Sequence, residues 1–313
     1  MKLQRADQIS ASDLRNIDFN VVLAASGYES RATYVARNLD LHGAQKKVAF
    51  AFSDRIVLAR RQNDRDFRRL GFELIKSAGS SSKPITAEII AAFRSVRRDD
   101  VTVLVDYSSM TKIWYAAILR LFAAIDAAVR QLNVYFAYSP SKFSRPTQPA
   151  PNQYMGPVPG FYNLDLPDRK TALVIGLGYE AERALGLVDY VEPAETFAFY
   201  TDPAPDRNFP KTVRRNNAQL LRRLGSSRTF KYPAEDLQTT ATILLSLALG
   251  LAKDFRVILA PLGPKPFALL CFLLASRYEE FDVWRVSSGE QGRALDRPPG
   301  GKLIVARVCY TAE

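Results

Sequence analysis

The chain has 313 residues, 47% hydrophobic and 24% charged, enough for one large domain or two medium ones. Its 43 Lys and Arg against 32 Asp and Glu leave a formal charge of +11, which favours an anionic partner. A single histidine, His42, argues against His-dyad catalysis and His-rich metal sites. The distant cysteines Cys271 and Cys309 argue against a zinc cluster or a disulfide framework.

Met1 to Asp13 alternates charged and apolar residues and lacks the apolar core of a signal peptide. Asn20–Ala25 then reads as a buried parallel strand, followed by a helix over Ser30–Asp40 and a second strand over Lys47–Ser53. An Arg-rich helix spans about Ala59–Leu70, and Thr86–Val96 reads as another helix. Val101–Asp106 is a strong strand, Lys112–Arg130 a long apolar helix, and Asn133–Tyr138 an aromatic strand. A proline-rich stretch over 141–168 suits an extended linker. The rhythm then restarts. Strands fall at Ala172–Gly176, Thr196–Thr201, Arg256–Ala260 and Asp282–Val286. Helices fall at Glu182–Tyr190, Val213–Leu224, Leu237–Lys253 and Lys265–Arg277, and Leu303–Cys309 forms a last strand. The longest apolar stretch, Ala241–Ala252, is too short to span a bilayer, so a cytoplasmic protein without a membrane partner is expected.

The restart is a repeat. Gly27-Tyr28-Glu29 returns as Gly178-Tyr179-Glu180, each followed by an Arg-Ala pair, Arg31-Ala32 and Arg183-Ala184. Arg60-Arg61, Asn63 and Arg68-Arg69-Leu70-Gly71 return as Arg214-Arg215, Asn217 and Arg222-Arg223-Leu224-Gly225. Lys112 returns as Lys265. The matches keep one order and sit about 150 residues apart, the pattern of an internal duplication. The expected architecture is α/β, with two Rossmann-like parallel-sheet halves related by a pseudo-two-fold. The domains are expected at 1–140 and 169–313, joined by the linker at 141–168.

Ligands of open α/β sheets bind at the carboxyl ends of the strands. Two loops of each half belong there. The first carries Gly27, Tyr28, Glu29 and Arg31, with Gly178, Tyr179, Glu180 and Arg183 as its counterpart. Glycine allows close backbone approach, and the helix start behind it offers free N–H groups to an anion. Glu29 can equally serve as a helix-end acid, and the arginines as solvated helix residues. A single glycine is not a dinucleotide fingerprint. The second loop carries Asp106, Ser108, Ser109, Thr111 and Lys112, matched by Gly263 and Lys265. Lysine in a first helical turn opposes the helix dipole, and an anionic ligand would explain its recurrence. The competing reading has both lysines reaching into water, with Ser109 or Thr111 capping the helix. The Arg pairs read first as a solvated face, and nucleic-acid contact is a secondary reading.

The Asp-Tyr-Ser-Ser-Met-Thr-Lys run from Asp106 to Lys112, and Gly263-Pro264-Lys265-Pro266, resemble the strand-to-helix loop of CRISPR-associated Rossmann fold (CARF) sensor domains and their relatives in bacterial defence. Domains of that family pair about a two-fold axis and bind oligoadenylates across it. The resemblance implies two such domains in one chain, with a nucleotide or oligonucleotide second messenger bound where the halves meet and a separate effector protein reading the signal. An enzyme that degrades or processes a nucleotide is the alternative, with Asp106, Ser108, Thr111 and Glu29 as catalytic candidates. A structural subunit of a defence complex is a third. No motif asks for a metal or an organic cofactor.

Overall fold

Val21–Ser26 is buried at every position, as a strand covered on both faces must be. It is β2 in a computed structural model that describes residues 1–96, 98–125, 129–147, 151–163, 168–289 and 294–312. The chain divides into two compact units, Met1–Ser144 with Ala294–Glu313, and Arg145–Arg293.

In the first unit β1 (Lys2–Ile9) and the one-turn helix α1 (Ala11–Leu14) precede β2. A 3-10 turn at Ser30–Thr33 leads into α2 (Tyr34–Asn38), then β3 (Lys46–Phe52), α3 (Arg60–Arg69) and β4 (Glu73–Ser77). α4 (Lys83–Ser95), β5 (Asp100–Asp106), α5 (Lys112–Ala124) and β6 (Gln131–Tyr138) complete the alternation. Five strands run parallel in the order β6-β5-β2-β3-β4. The order reverses between β2 and β5, which makes that edge the switch point where α/β sheets hold ligands. The apolar length of α5 packs here. Trp114 is fully buried, stacks on Phe52 with ring centroids 4.2 Å apart, and donates its indole N–H to Ala78 O at 3.2 Å.

In the second unit β7 (Tyr154–Pro157) comes from the proline-rich stretch. β8 (Thr171–Gly176), α6 (Arg183–Val191), β9 (Glu195–Thr201), α7 (Asn208–Asn216), α8 (Ala218–Leu224) and β10 (Thr229–Tyr232) follow. α9 (Leu237–Leu251), β11 (Arg256–Pro261), α10 (Lys265–Arg277) and β12 (Asp282–Ser287) complete it. The parallel order is β10-β9-β8-β11-β12, the same walk as in the first unit. β7 pairs antiparallel with β12.

β13 (Ile304–Thr311) returns to the first unit. It lies antiparallel between β6 and β1. The expected domain boundaries are corrected accordingly: residues 294–313 belong to the first unit rather than to a domain running from 169. The 141–168 segment is divided too, with Ser141 bridging to Pro299 in the first unit and β7 joining the second sheet. Of its prolines, Pro149 and Pro167 lie outside the described residues. The helix expected over Val213–Leu224 starts earlier and is broken at Asn217, whose side-chain amide bonds back to Val213 O at 2.8 Å. The helix expected over Ser30–Asp40 begins as the 3-10 turn and ends at Asn38. α5 ends at Ala124 rather than Arg130, and residues 126–128 are outside the described set.

β13 supplies the ladder partner of both β1 and β6, and Val305 and Val308 are fully buried in the core. A chain truncated after Gly301 should therefore lose the cooperative unfolding transition of the first unit while the second unit still melts. Differential scanning calorimetry checks this. Two unchanged transitions would remove β13 from the first sheet.

Candidate functional site

The switch-point edge of the first unit is built from the loops after β2 and β5. The β2 loop is held from beneath by α3. Asn63 donates its side-chain amide to Gly27 O at 2.9 Å and Glu29 O at 2.8 Å, and Ala59 N donates to Tyr28 O at 3.1 Å. Three consecutive carbonyls are thus engaged by α3 and the residue leading into it.

Glu29 makes no capping bond to the turn it precedes. Its carboxylate instead accepts from Arg31 Nε at 2.8 Å and from Arg297 Nη1 at 3.0 Å. Arg31 is 2% exposed. It donates to Tyr138 Oη at 3.1 Å and Ser139 O at 2.8 Å, and its guanidinium lies 5.3 Å from the Tyr138 ring centre. Burial works against the Arg31 charge, but the Glu29 carboxylate and the Tyr138 hydroxyl outweigh it and hold the pKa above its ordinary value. Arg31 is therefore not a solvated helix residue. It fastens the β2 loop to the end of β6. The amide of Ser30, at the start of the turn, donates to Asp296 Oδ1 at 2.7 Å, so a carboxylate of the chain itself sits where an anion would be received.

In the β5 loop Asp106 is buried and accepts from Ser108 N at 3.0 Å. Ser108 Oγ accepts from Ser139 N at 2.8 Å, which ties this loop to the end of β6. Thr111 is the N-cap of α5: its hydroxyl accepts from Trp114 N at 3.3 Å and donates to Gly79 O at 2.9 Å. Lys112, the first residue of α5, is half-buried. Ser109 meets the other loop. A Cβ on Gly27 would lie 3.2 Å from Ser109 Cβ, so the two loops meet in tight contact there. The Ser109 and Ser30 hydroxyls are buried with no hydrogen-bond partner among the described residues. Tyr28, next to Gly27, is half-buried.

The second unit repeats this plan more loosely. Asn217 donates to Gly178 O at 2.9 Å and Asn216 to Tyr179 O at 2.5 Å. Arg183 lies 3.8 Å from Glu180 and donates to Ser288 Oγ at 2.6 Å, after β12, as Arg31 reaches Ser139 after β6. This pair is more exposed than Arg31 and Glu29. The β8 and β11 loops touch backbone to backbone: a Cβ on Gly263 would lie 2.5 Å from Leu177 O, and one on Gly178 would lie 2.7 Å from Leu262 O. Lys265 opens α10 and is half-buried, as Lys112 is at α5.

The structure therefore brings Gly27 against Ser109 and links Glu29 with Arg31, Asp106 with Ser108, and Glu180 with Arg183. Sequence reasoning missed Tyr138, Ser139, Asp296 and Arg297. Asn63 and Asn217 stood out in the repeat, and that recurrence was the available signal for the clamp.

No protein-family model matches the chain, and no curated protein matches it. Among solved structures, a phosphoethanolamine N-methyltransferase of Haemonchus contortus, bound to phosphoethanolamine and S-adenosylhomocysteine, aligns over 96% of this chain and 90% of its own. The identity is 8% and the TM-score 0.24, so this similarity carries no argument. No helix among the described residues is long and apolar enough to cross a membrane.

Glu29→Gln removes the carboxylate that compensates a buried guanidinium and should cost about 3–5 kcal/mol of first-unit stability. Asn63→Ala leaves buried carbonyls without their donor and should cost about 1–3 kcal/mol. Urea unfolding measures both. Losses below about 0.5 kcal/mol, the size expected for ordinary surface changes, would show that the network does not fasten the loop. In the second unit Gly263→Ala should cost about 1–3 kcal/mol by overpacking against Leu177 O. An unchanged melting temperature would contradict that contact.

Proposed function

We propose that the chain binds a nucleotide-type anion at the carboxyl edge of its Rossmann-like units, with the first unit as the principal site, and that it acts as a sensor of a nucleotide second messenger. The observation that carries this is the meeting of the β2 and β5 loops at the switch point. Gly27 packs on Ser109, the buried hydroxyls of Ser30 and Ser109, one on each loop, lack partners among the described residues, and Lys112 opens the 13-residue helix α5 at the same edge. Lys112 puts a positive charge at this edge, to which a negatively charged guest would be attracted. The likeness of Asp106–Lys112 to CARF loops supplies the chemical class of the guest. An effector protein that reads the bound state, and a place in bacterial antiviral defence, belong to the same proposal.

Binding is favoured over turnover by how the catalytic candidates are engaged. Ser108 and Thr111 hold backbone partners, and Glu29 is flanked by two arginines. We also infer that the units arose by duplication. Their shared strand order, asparagine clamp and arginine tie support this.

Calorimetry against cyclic nucleotides and short oligoadenylates tests the reading. Binding of at least one of them is expected, weakened about tenfold or more by Lys112→Ala, since a charged hydrogen bond contributes about 1.5–3 kcal/mol. Equal affinity in a Lys112→Ala, Lys265→Ala double variant would overturn it. Conversion of the ligand to product, abolished by Asp106→Ala, would replace the sensor with an enzyme.

A further inference from the structure

The repeated arginine motif separates in the structure into two populations. Arg60 is buried and structural: it bonds Phe52 O and pairs with Asp64 at 2.9 Å. Arg61, Arg65, Arg68 and Arg69 are exposed on α3. They stand at i, i+4, i+7 and i+8, one face of the helix, opposite the buried Asn63 and Phe67. That row is about 12 Å long at 1.5 Å per residue.

No acidic side chain pairs with any of these four among the described residues; Arg65 bonds only the neutral Gln62, at 2.6 Å. Elsewhere the chain does neutralise exposed arginines, as at Arg130 with Asp100 (3.0 Å) and Arg228 with Glu195 (2.8 Å). The second unit carries the corresponding arginines, divided between two helices. Arg214, Arg215, Arg222 and Arg223 are exposed on α7 and α8 without an acidic partner among the described residues, while Val213, Leu220 and Leu224 face the core. A face kept only for solubility normally mixes both signs. A single-sign row of guanidinium forks, as on α3, is suited to phosphate.

We propose that the α3 row, with its α7–α8 counterpart, docks on the phosphate backbone of double-stranded DNA without reading base sequence. Duplex is favoured over single strand because the only aromatic residue of α3, Phe67, is buried, so there is no platform on which unpaired bases could stack. The apolar side of α3 itself faces the core, but Ile56, Val57 and Leu58 just before it are exposed, so an anionic membrane surface is the competing occupant that the vesicle arm of the test separates. This surface is separate from the strand-edge site and does not rest on it.

Fluorescence anisotropy of the full chain with a labelled 20-bp duplex, over a salt series, tests the proposal. Four phosphate contacts per row predict that log K falls with log[salt] with a slope contribution of about −3.6. Reversing the α3 row (Arg61→Glu, Arg65→Glu, Arg68→Glu, Arg69→Glu) should weaken binding more than tenfold at about 0.1 M salt and flatten the slope by about 3.6, equally for unrelated sequences. The corresponding Arg→Gln set gives the same direction in a variant less prone to misfold, with circular dichroism as the fold control. Reversal of Arg120, exposed on α5, should change neither quantity. Absence of duplex binding at about 0.05 M salt, unchanged binding in both α3 variants, tighter binding to the single strand, or equal row-dependent capture by phosphatidylserine vesicles would each overturn it.

Discussion

The buried ion pair between Glu29 and Arg31 is the constraint on which the switch-point edge depends. A guanidinium 2% exposed is tolerable only with a carboxylate beside it and its remaining donors satisfied. Glu29 provides the first, and Tyr138 and Ser139 provide the second. The consequence is mechanical. The loop after the first parallel strand is fastened to the end of the last one, across the mouth of the sheet. Ser108 adds a second tie between β5 and β6, and Asn63 pins the same loop from α3. A loop held this way keeps its glycine against Ser109 and its amides in a fixed direction, the preorganisation that lets a site bind without first ordering itself.

The second unit keeps the topology and the clamp but not the buried ion pair. Its Arg183–Glu180 pair is longer and more exposed, and exposed pairs contribute little. Its loops are instead locked by direct backbone contact at Gly178 and Gly263. One unit thus organises its edge through charge in a low-dielectric setting, the other through steric fit. Polar groups converge on the first edge, and for that reason the proposed binding site is placed chiefly there.

What could be read from the sequence follows from burial. β2, β5 and β6 are interior strands whose apolar runs announce themselves, and the helix starts at Lys112 and Lys265 fall where the pattern places them. β4 and β10 are short, largely unburied strands at sheet edges, where residues such as Glu73 and Lys231 mask the strand signal. The return of β13 to the first sheet leaves no local mark, because antiparallel pairing between residues 131 and 311 is set by tertiary contacts alone. The loops of the candidate site were legible as glycine and hydroxyl clusters after strands. Their partners Asp296 and Arg297 were not, since they approach Ser30 and Glu29 from 266 and 268 residues away.

Amide hydrogen exchange with and without a bound cyclic nucleotide or oligoadenylate measures the central claim most directly. The account predicts new protection confined to residues 27–31 and 108–114 of the first unit, with weaker protection at 178–183 and 263–267. Protection elsewhere with those amides unchanged would contradict it, because the ligand would then be bound away from the edge that the buried ion pair organises.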